Sequence, residues 1–383
     1  MFVPIANEPR DYAWGSRTLL ADYLGRDRSG DPEAELWFGA HPGCPALVTA
    51  GAGAGATLDA ALDAAELRHP AILLKVLAAG EPLSLQVHPD AARAKAGFER
   101  EDAAGIPRDA PERCYRDPHP KPELVVAVTP FEALSGFRPH EQALAVVDAL
   151  AAADARLAPV AEHVRAGDAL AWLLSDAADV ARAVEAVPSA AAAIAPAHPV
   201  EADTVARLVA AHPRDPGILI ALLLNRVTLQ PGEALYLPAG NMHAYLSGLG
   251  IELMSASDNV LRCAFTPKHI DVAELLEVVD RTPLADPRLP AERLEGATAY
   301  RPDAPFELRR VAGEHRAPAA RALLIAARPA RIVVDEEAHE LRAGEGAWID
   351  ADAPFSVASE EAWLALERDT PDARLPARGA RHS

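Results

Sequence analysis

Short apolar runs alternate with turn residues over the first third of the chain, and within some of these runs, such as LSLQVHP, apolar and polar residues also alternate with a period of two. Four runs that are bounded by turn residues carry this pattern: ELWFGAHPG, AILLKVL, LSLQVHP and ELVVAVTPFEALSGF. A β-strand turns successive side chains to opposite faces, so the pattern predicts a mainly β region over residues 1–138.

The period changes to that of a helix between residues 139 and 216. Apolar residues recur there at spacings of three and four in Ala-rich sequence, as in Leu144, Val147 and Leu150. Prolines divide the stretch into short pieces. It therefore predicts a small domain of helices inserted into the β region.

The β pattern returns afterwards and continues almost to the end of the chain. Residues 217–299 are predicted to complete the first β domain, and residues 300–370 contain a second set of short β runs. The Pro- and Arg-rich tail, residues 371–383, is predicted to be disordered. The expected fold class is mainly β with an α-helical insert.

A comparison inside the chain suggests that the two β regions are related. The segments LQPGEALYLPAGNMHAY, from Leu229, and LRAGEGAWIDADAPFSV, from Leu341, align without gaps and match Gly232 with Gly344. In this alignment Phe355 stands opposite His243. We interpret the match as two related barrels, of which only the first carries chemistry. Two unrelated hairpins of similar sequence would give the same short match.

Composition and charge limit the classes of partner. The 383 residues include 56 acidic and 37 basic side chains, for a net charge of −19, and no long Lys/Arg block is present. Nucleic acids and anionic membranes are therefore poor partners. The N-terminus does not resemble a secretory signal, and the three scattered cysteines predict reduced thiols. We expect a cytoplasmic monomer.

Two segments offer metal ligands. Gln86 and His88 lie two residues apart in LSLQVHPD, so a strand turns both to one face, where a barrel interior could place a metal. A hydrogen-bonded pair in the core is the alternative. His243 ends PGEALYLPAGNMH, in which the spacing of glycine, proline and histidine resembles the second motif of the cupin superfamily. The resemblance implies two cupin-like jelly-roll barrels and an inward-facing histidine.

Several motifs in order resemble the type I phosphomannose isomerases over most of the chain: YAWGS, LSLQVHPD, KPELVVAVTPFEALSGF, LLLNRVTLQPGEALYLPAGNMHAY and SDNVLRCAFTPKHID. The resemblance implies one zinc ion held by Gln86, His88, Glu123 and His243. Manganese, cobalt or iron also suits such an N/O set. It further implies that mannose 6-phosphate and fructose 6-phosphate are interconverted through an enediol.

The catalytic roles follow from this resemblance and from side-chain chemistry. Arg262 matches the family's catalytic arginine, and its permanent charge suits stabilisation of the enediolate. The general base is left open among Lys121, Glu252, Asp258 and a hydroxide on the metal. Each of the two acids could instead be satisfied by nearby backbone donors.

The anionic end of the substrate requires fixed donors. The resemblance places Ser84 and Lys268 there, with Lys121 as a further contact. A lysine on the solvated surface is the alternative for Lys268. Many members of the family carry a histidine directly before KPE, whereas this chain has Pro120 there and His119 one place earlier, so no ring-opening residue is assigned.

Two other functions fit parts of this pattern. One is a cupin that binds a sugar phosphate without turnover, and the other is a cupin enzyme that acts on a different small molecule. Retention of Arg262, Lys121 and Lys268 beside four ligands favours catalysis over binding without turnover.

Overall fold

The computed structural model describes residues 1–368. The tail predicted over residues 371–383 lies outside the described residues. In chain order the strands are β1 (Phe2–Ala6), β2 (Glu35–Phe38), β3 (Leu47–Val48), β4 (Ile72–Ala79), β5 (Leu85–Val87), β6 (Glu123–Ala127), β7 (Phe131–Phe137), β8 (Leu224–Leu229), β9 (Ala234–Leu237), β10 (His243–Ser255), β11 (Leu261–Ala264), β12 (Arg288–Leu289), β13 (Ala291–Leu294), β14 (Ala297–Tyr300), β15 (Phe306–Ala317), β16 (Ala320–Ala326), β17 (Ala330–Val334), β18 (Glu337–Leu341), β19 (Gly346–Ala351) and β20 (Phe355–Glu367).

Helices occupy the gaps between these strands. In chain order they are α1 (Leu19–Leu24), α2 (Leu58–Ala64), α3 (Ala91–Ala103), α4 (His140–Ala153), α5 (Ala158–Ala166), α6 (Ala169–Leu173), α7 (Ala178–Ile194), α8 (Pro199–Ala211), α9 (Gly217–Ala221) and α10 (Val272–Val278). The run from α4 to α9 separates β7 from β8, which is where the sequence predicts an inserted helical domain. Within residues 1–368, no helix is both long and apolar enough to cross a membrane.

The strands form two sheets, and the mainly β fold with α-helical parts is confirmed. One sheet holds β2 and β4–β12, and the other holds β13–β20 together with β1 and β3. The N-terminal strand β1 pairs with β19, so residues 2–6 join the sheet of the C-terminal region. The predicted division of the chain into domains at residues 138, 216 and 299 stays a prediction.

Strand β4 shows how the first barrel is built. All eight of its residues are buried, because both faces of the strand are covered. Leu77 and Ala79 face the barrel interior with apolar residues of β6, β7 and β9. Leu74 and Val76 point the other way and pack against the second barrel. The strand is therefore an apolar run rather than an alternating one.

The second barrel has its own apolar interior, and the helical run has a third core. Residues of β15, β16, β19 and β20 fill the second barrel. The helices from α4 to α9 bury their apolar stripes against one another and against β5, β7 and β10. The first barrel is thus held between two packed neighbours, which fixes the strands that carry its polar interior residues.

The two hairpins that align in the sequence share the same local backbone geometry at the matched glycine. Gly232 and Gly344 each end a turn with a positive φ, 89° and 84°. A non-glycine residue is strained in this conformation, which explains the shared glycine. The N–H of each glycine donates to a strand carbonyl at 2.8 Å, that of Ala127 in the first barrel and Ala326 in the second. This equivalence supports the interpretation of two related barrels.

Candidate active site

Three of the predicted metal ligands meet inside the first barrel. His88 follows β5, Glu123 begins β6 and His243 begins β10. Their ligand atoms all lie within 4.8 Å of one another, and all three side chains are buried. Glu123 lies between the two rings, with one oxygen 3.3 Å from His88 Nε2 and the other 3.3 Å from His243 Nε2.

The second nitrogen of each histidine fixes its orientation. His88 Nδ1 donates to the main-chain oxygen of Asn259 at 2.8 Å, and His243 Nδ1 donates to that of Asn241 at 3.0 Å. Both Nε2 atoms are left as lone-pair donors toward Glu123. Within the described chain, His88 Nε2 is a buried atom without a hydrogen-bond partner. Such an atom fits a bound cation.

Burial and neighbouring charges set the protonation of this group. Burial lowers the pKa of His88 to about 4, although Glu123 works in the opposite direction. Burial alone would raise the pKa of Glu123, but the Lys121 ammonium, 2.9 Å from its Oε1, helps to hold that pKa well below the ordinary value. A neutral His88 imidazole beside an ionised Glu123 carboxylate is the combination that binds a divalent metal.

Gln86 lies beside this group. It is paired with His243 in the ladder between β5 and β10. Its Nε2 is 3.5 Å from His243 Nε2, and its Oε1 accepts a hydrogen bond from the Ser84 hydroxyl at 3.3 Å. The amide is thus within reach of the three convergent ligands.

A cavity of about 250 Å³ opens onto these ligands. Eight of the predicted site residues line it: Ser84, Gln86, Lys121, Glu123, His243, Glu252, Arg262 and Lys268. A larger groove of about 870 Å³ lies between β1, α2 and β18. None of the predicted site residues lines that groove, so size alone does not locate the site.

The cavity contains a buried charged cluster that the sequence analysis missed in part. Lys75, in β4, lies 3.0 Å from Glu252 and 3.4 Å from Glu35. Burial would lower the pKa of Lys75, but the two carboxylates raise it above its ordinary value. A lysine inside the apolar run ILLKVLAA was the available signal, because such a position buries its side chain.

Glu252 lies at the centre of this cluster. It accepts hydrogen bonds from Lys75 and, at 3.0 Å, from the Tyr245 hydroxyl. Burial raises the pKa of Glu252, and Lys75 offsets only part of this effect. Glu252 is thus a carboxylate whose pKa is moved toward neutral pH.

Two cations line the same cavity, and neither is paired with a carboxylate within residues 1–368. Burial lowers the pKa of Arg262, and the nearby Arg116 lowers it further. Burial, Arg262 and Arg116 also lower the pKa of Lys268. Mutually repelling cations with no counter-ion indicate a site for an anion.

Asp258 is the predicted catalytic residue that does not line the cavity. One of its carboxylate oxygens lies 3.4 Å from His41 Nε2, and its N–H donates to the Asp117 carboxylate at 2.8 Å. His119 is partly buried, and its N–H donates to the same carboxylate. These contacts tie two loops together beside the ligands.

Comparison with known proteins agrees with this geometry. The model of the phosphomannose isomerase type I catalytic domain matches residues 2–140. A mannose-6-phosphate isomerase of Salmonella typhimurium is 37% identical over 375 residues, which are 91% of this chain and 94% of that protein. The human mannose-6-phosphate isomerase is 30% identical over 320 residues and covers 73% of each chain.

Solved structures give the same result. A zinc-bound mannose 6-phosphate isomerase superposes with a TM-score of 0.86 at 32% identity, covering 96% of this chain and 99% of the other. A Salmonella typhimurium structure bound to fructose 6-phosphate and zinc gives the same TM-score, identity and coverage. With the convergent ligands and the cavity, these matches show that the chain belongs to the type I phosphomannose isomerase family.

Proposed function

We propose that this cavity interconverts mannose 6-phosphate and fructose 6-phosphate through an enediol. One observation carries the proposal: a buried His-Glu-His group meets a cavity that also contains a buried carboxylate and two cations. The first would hold a metal, the second would move a proton and the third would bind an anionic substrate. The relative solved with fructose 6-phosphate and zinc supports this assignment.

The ligand set fits zinc. His88, Glu123 and His243 would hold it, and half a turn of the Gln86 amide would bring its oxygen in place of its nitrogen as a fourth donor. Manganese, cobalt or iron is compatible with the same donors. When bound, a divalent ion supplies positive charge that polarises the sugar oxygens and stabilises the enediolate.

Glu252 is the base that the geometry favours. The reaction moves a proton between C1 and C2 of the sugar, and Glu252 is a carboxylate in the cavity wall with a raised pKa. A base whose pKa lies nearer the working pH transfers protons more effectively in both directions. Lys75 and Tyr245 hold the carboxylate in place by donating one hydrogen bond each.

Arg262 and Lys121 act on the oxygen side of the reaction. The Arg262 guanidinium stays protonated, so it stabilises negative charge on O1 and O2 and orients these atoms. Lys121 holds Glu123 through its 2.9 Å contact and presents an ammonium to the same cavity. Asp258, the remaining catalytic candidate, does not line the cavity, so we assign it only a role in holding the position of its own loop.

Lys268 and Ser84 bind the phosphate in this proposal. Lys268 lines the cavity without a carboxylate partner in the described chain, and Ser84 presents its hydroxyl next to Gln86. Positive charge here stands out in a protein of net charge −19. A phosphate on Lys268 would offset the repulsion that this ammonium experiences from the nearby guanidinium of Arg262.

A metal-exchange assay tests the function. Purified protein is treated with a chelator, given mannose 6-phosphate, and followed for fructose 6-phosphate before and after zinc is returned. We expect activity to be lost and then regained, and the product formed in D₂O to carry deuterium at the exchanged carbon. Binding of the sugar phosphate without turnover at full zinc loading would contradict the proposal.

We further propose that the protein works as a cytoplasmic monomer. All four proposed ligands and the whole cavity wall come from one chain. Cys44, Cys114 and Cys263 are free thiols, as is usual in a reducing compartment. Light scattering after size-exclusion chromatography and fractionation of cells would test the two parts separately.

A further inference from the structure

Asn259 is fully buried and uses both its side chain and its main chain. Its main-chain oxygen accepts the hydrogen bond from His88 Nδ1 at 2.8 Å. Its side-chain oxygen accepts from the N–H groups of Arg116 and Asp117 at 2.7 and 3.2 Å. Its side-chain nitrogen donates to the carbonyls of Asp117 and His119 at 2.7 and 2.9 Å. One residue thus connects a proposed metal ligand with the loop that leads to Lys121 and Glu123.

The sequence of that loop explains why it needs an external partner. Residues 117–123 read DPHPKPE, with proline at 118, 120 and 122. Prolines have no N–H, so this stretch cannot build a regular backbone ladder of its own. The N–H of Asp117, its first residue, and that of the preceding Arg116 donate to Asn259 instead.

Neighbours of Asn259 reinforce the same contact. The hydroxyl of the buried Ser257 donates to the Asp117 carboxylate at 2.9 Å, and the His119 carbonyl lies 3.2 Å from the same hydroxyl. The Asp258 N–H donates to the other oxygen of Asp117 at 2.8 Å. The loop of residues 257–259 and the loop of residues 116–119 are therefore joined along their length.

We propose that Asn259 is a positioning residue that sets the ring orientation of His88 and the placement of Glu123 and Lys121 together. Partners of this kind hold a ligand in the geometry and tautomer that bind metal. Here a single residue would hold the loop that leads to Glu123 through its side chain and the His88 imidazole through its main-chain oxygen. The inference rests on the proposed function only for the identity of the metal.

Asn259→Asp is the sharpest variant. It keeps the shape and one acceptor, but it replaces the donating nitrogen by an oxygen that faces the carbonyls of Asp117 and His119. We expect zinc affinity, measured by competition with a chromophoric chelator, to fall by about 10- to 100-fold. At saturating zinc, kcat should fall while KM for mannose 6-phosphate changes little, because Ser84 and Lys268 lie on other segments.

Tyr300→Phe is the matched control. It removes a hydrogen bond at 2.8 Å from the buried Tyr300 to the Gly232 carbonyl, and neither residue is a proposed ligand or lines the cavity. We expect a lower Tm without a change in zinc affinity. Zinc affinity within twofold of the parent protein in Asn259→Asp would overturn the proposal and leave a structural role only.

Ser257→Ala covers the case in which Asn259→Asp does not fold. It removes the hydroxyl contacts to Asp117 and His119 and the acceptor of the Asn259 N–H, so we expect a several-fold weaker affinity for zinc in a folded protein. If Ser257→Ala binds zinc as tightly as the parent protein does, that result would also contradict the positioning role of Asn259. Zinc affinity is measured without substrate, so a protein that binds zinc normally but lacks isomerase activity would sink the proposed function and leave this inference standing.

Discussion

His243 begins β10 in the first barrel, and Phe355 begins β20, a strand of the same length, in the second. The residues opposite them differ in the same sense. Gln86 is paired with His243, whereas Ala317 is paired with Phe355. Two potential metal ligands in the first barrel thus correspond to two apolar side chains in the second barrel.

The third position follows the same rule. Glu123 is paired with Met254, the twelfth residue of β10, and Ala322 is paired with Leu366, the twelfth residue of β20. Ala322 is completely buried among apolar neighbours. The second barrel therefore keeps the strands and their register while its interior has no ligand at these positions.

A buried cation is present in both barrels, but its partners differ. Lys75 is paired with Glu252, and Arg309 occupies the matching place opposite Leu364. Arg309 forms an ion pair with Glu307 on its own strand. The comparison teaches that the jelly roll folds with either polar or apolar residues at the positions of Gln86, Glu123 and His243. These three side chains therefore reflect chemistry rather than the demands of folding, whereas a buried cation at the position of Lys75 is common to both barrels.

The largest effect is expected from His243→Phe, which gives the first barrel the residue of the second. A bulky apolar ring removes one ligand and leaves the Glu123 carboxylate without its imidazole partner. We expect loss of bound zinc and an activity loss on the order of 10⁴-fold. Metal analysis and turnover of mannose 6-phosphate check this, and zinc retained at one ion per chain would show that our ligand assignment is wrong.

Glu252→Gln should lower kcat by about 10³-fold while zinc stays bound, because the amide cannot accept the proton. Glu35→Gln is the matched control, since Glu35 contacts the same lysine and lines the same cavity. If both substitutions cost the same activity, the two carboxylates merely hold Lys75 and Glu252 is not the base.

Arg262→Ala should lower kcat by about 10²-fold and keep the metal, because the guanidinium acts on the oxygens of the enediolate. Lys268→Ala should instead raise KM by about tenfold through loss of a phosphate contact. Steady-state kinetics with zinc analysis separates the two. Loss of metal in Arg262→Ala would contradict the role given to Arg262.

The pH profile offers a smaller but more specific test. Burial and the Glu35 and Glu123 charges raise the pKa of Glu252, and only the deprotonated carboxylate acts as a base. The acidic limb of kcat/KM should therefore lie above the ordinary glutamate pKa of about 4.3. Glu35→Gln removes one of the raising charges, so the limb should move to lower pH. If the acidic limb does not move in Glu35→Gln, the ionisation of Glu252 does not control kcat/KM and Glu252 is not the base.

Phe355→His, the reverse exchange, should leave activity unchanged and create no second zinc site, because Ala317 and Ala322 supply no further ligands. The imidazole would lie unpaired in an apolar interior and should cost about 1–3 kcal/mol of unfolding free energy. Thermal unfolding and the zinc-to-protein ratio measure both outcomes. A second bound zinc would show that the residue at position 355 alone accounts for the difference in metal binding between the two barrels.

Sequence alone predicted the parts of the fold and site that depend on local pattern. The two periods located the strands and the helices, and the motifs around His88, Glu123 and His243 located three side chains that converge in the first barrel. The role of Lys75 was not predicted, because the partners of a lysine in an apolar run become known only when the fold places β2 and β10 beside β4. The role proposed for Asn259 was not predicted either, because it depends on hydrogen bonds to a loop that is more than one hundred residues away in the sequence.

Asp258 illustrates the same limit from the other side. The SDN motif suggested an acid at the site, and sequence could not tell which of its side chains faces the ligands. In the fold the Asn259 side chain is buried against the loop of residues 116–119, whereas Asp258 turns toward His41. Neighbouring residues in a loop point in different directions, and only tertiary contacts decide which one is used.

The two-sided character of β4 and β10 gives the second barrel a reason to persist without ligands. Lys75 and Glu252 face the cavity, while Leu74, Val76 and Ile251 pack against the other barrel. A shortened protein ending near residue 299 would lay that apolar sheet face open to water and invite self-association. The second barrel can therefore lack metal ligands and still be required, because it covers the apolar faces of the strands that carry Lys75 and Glu252.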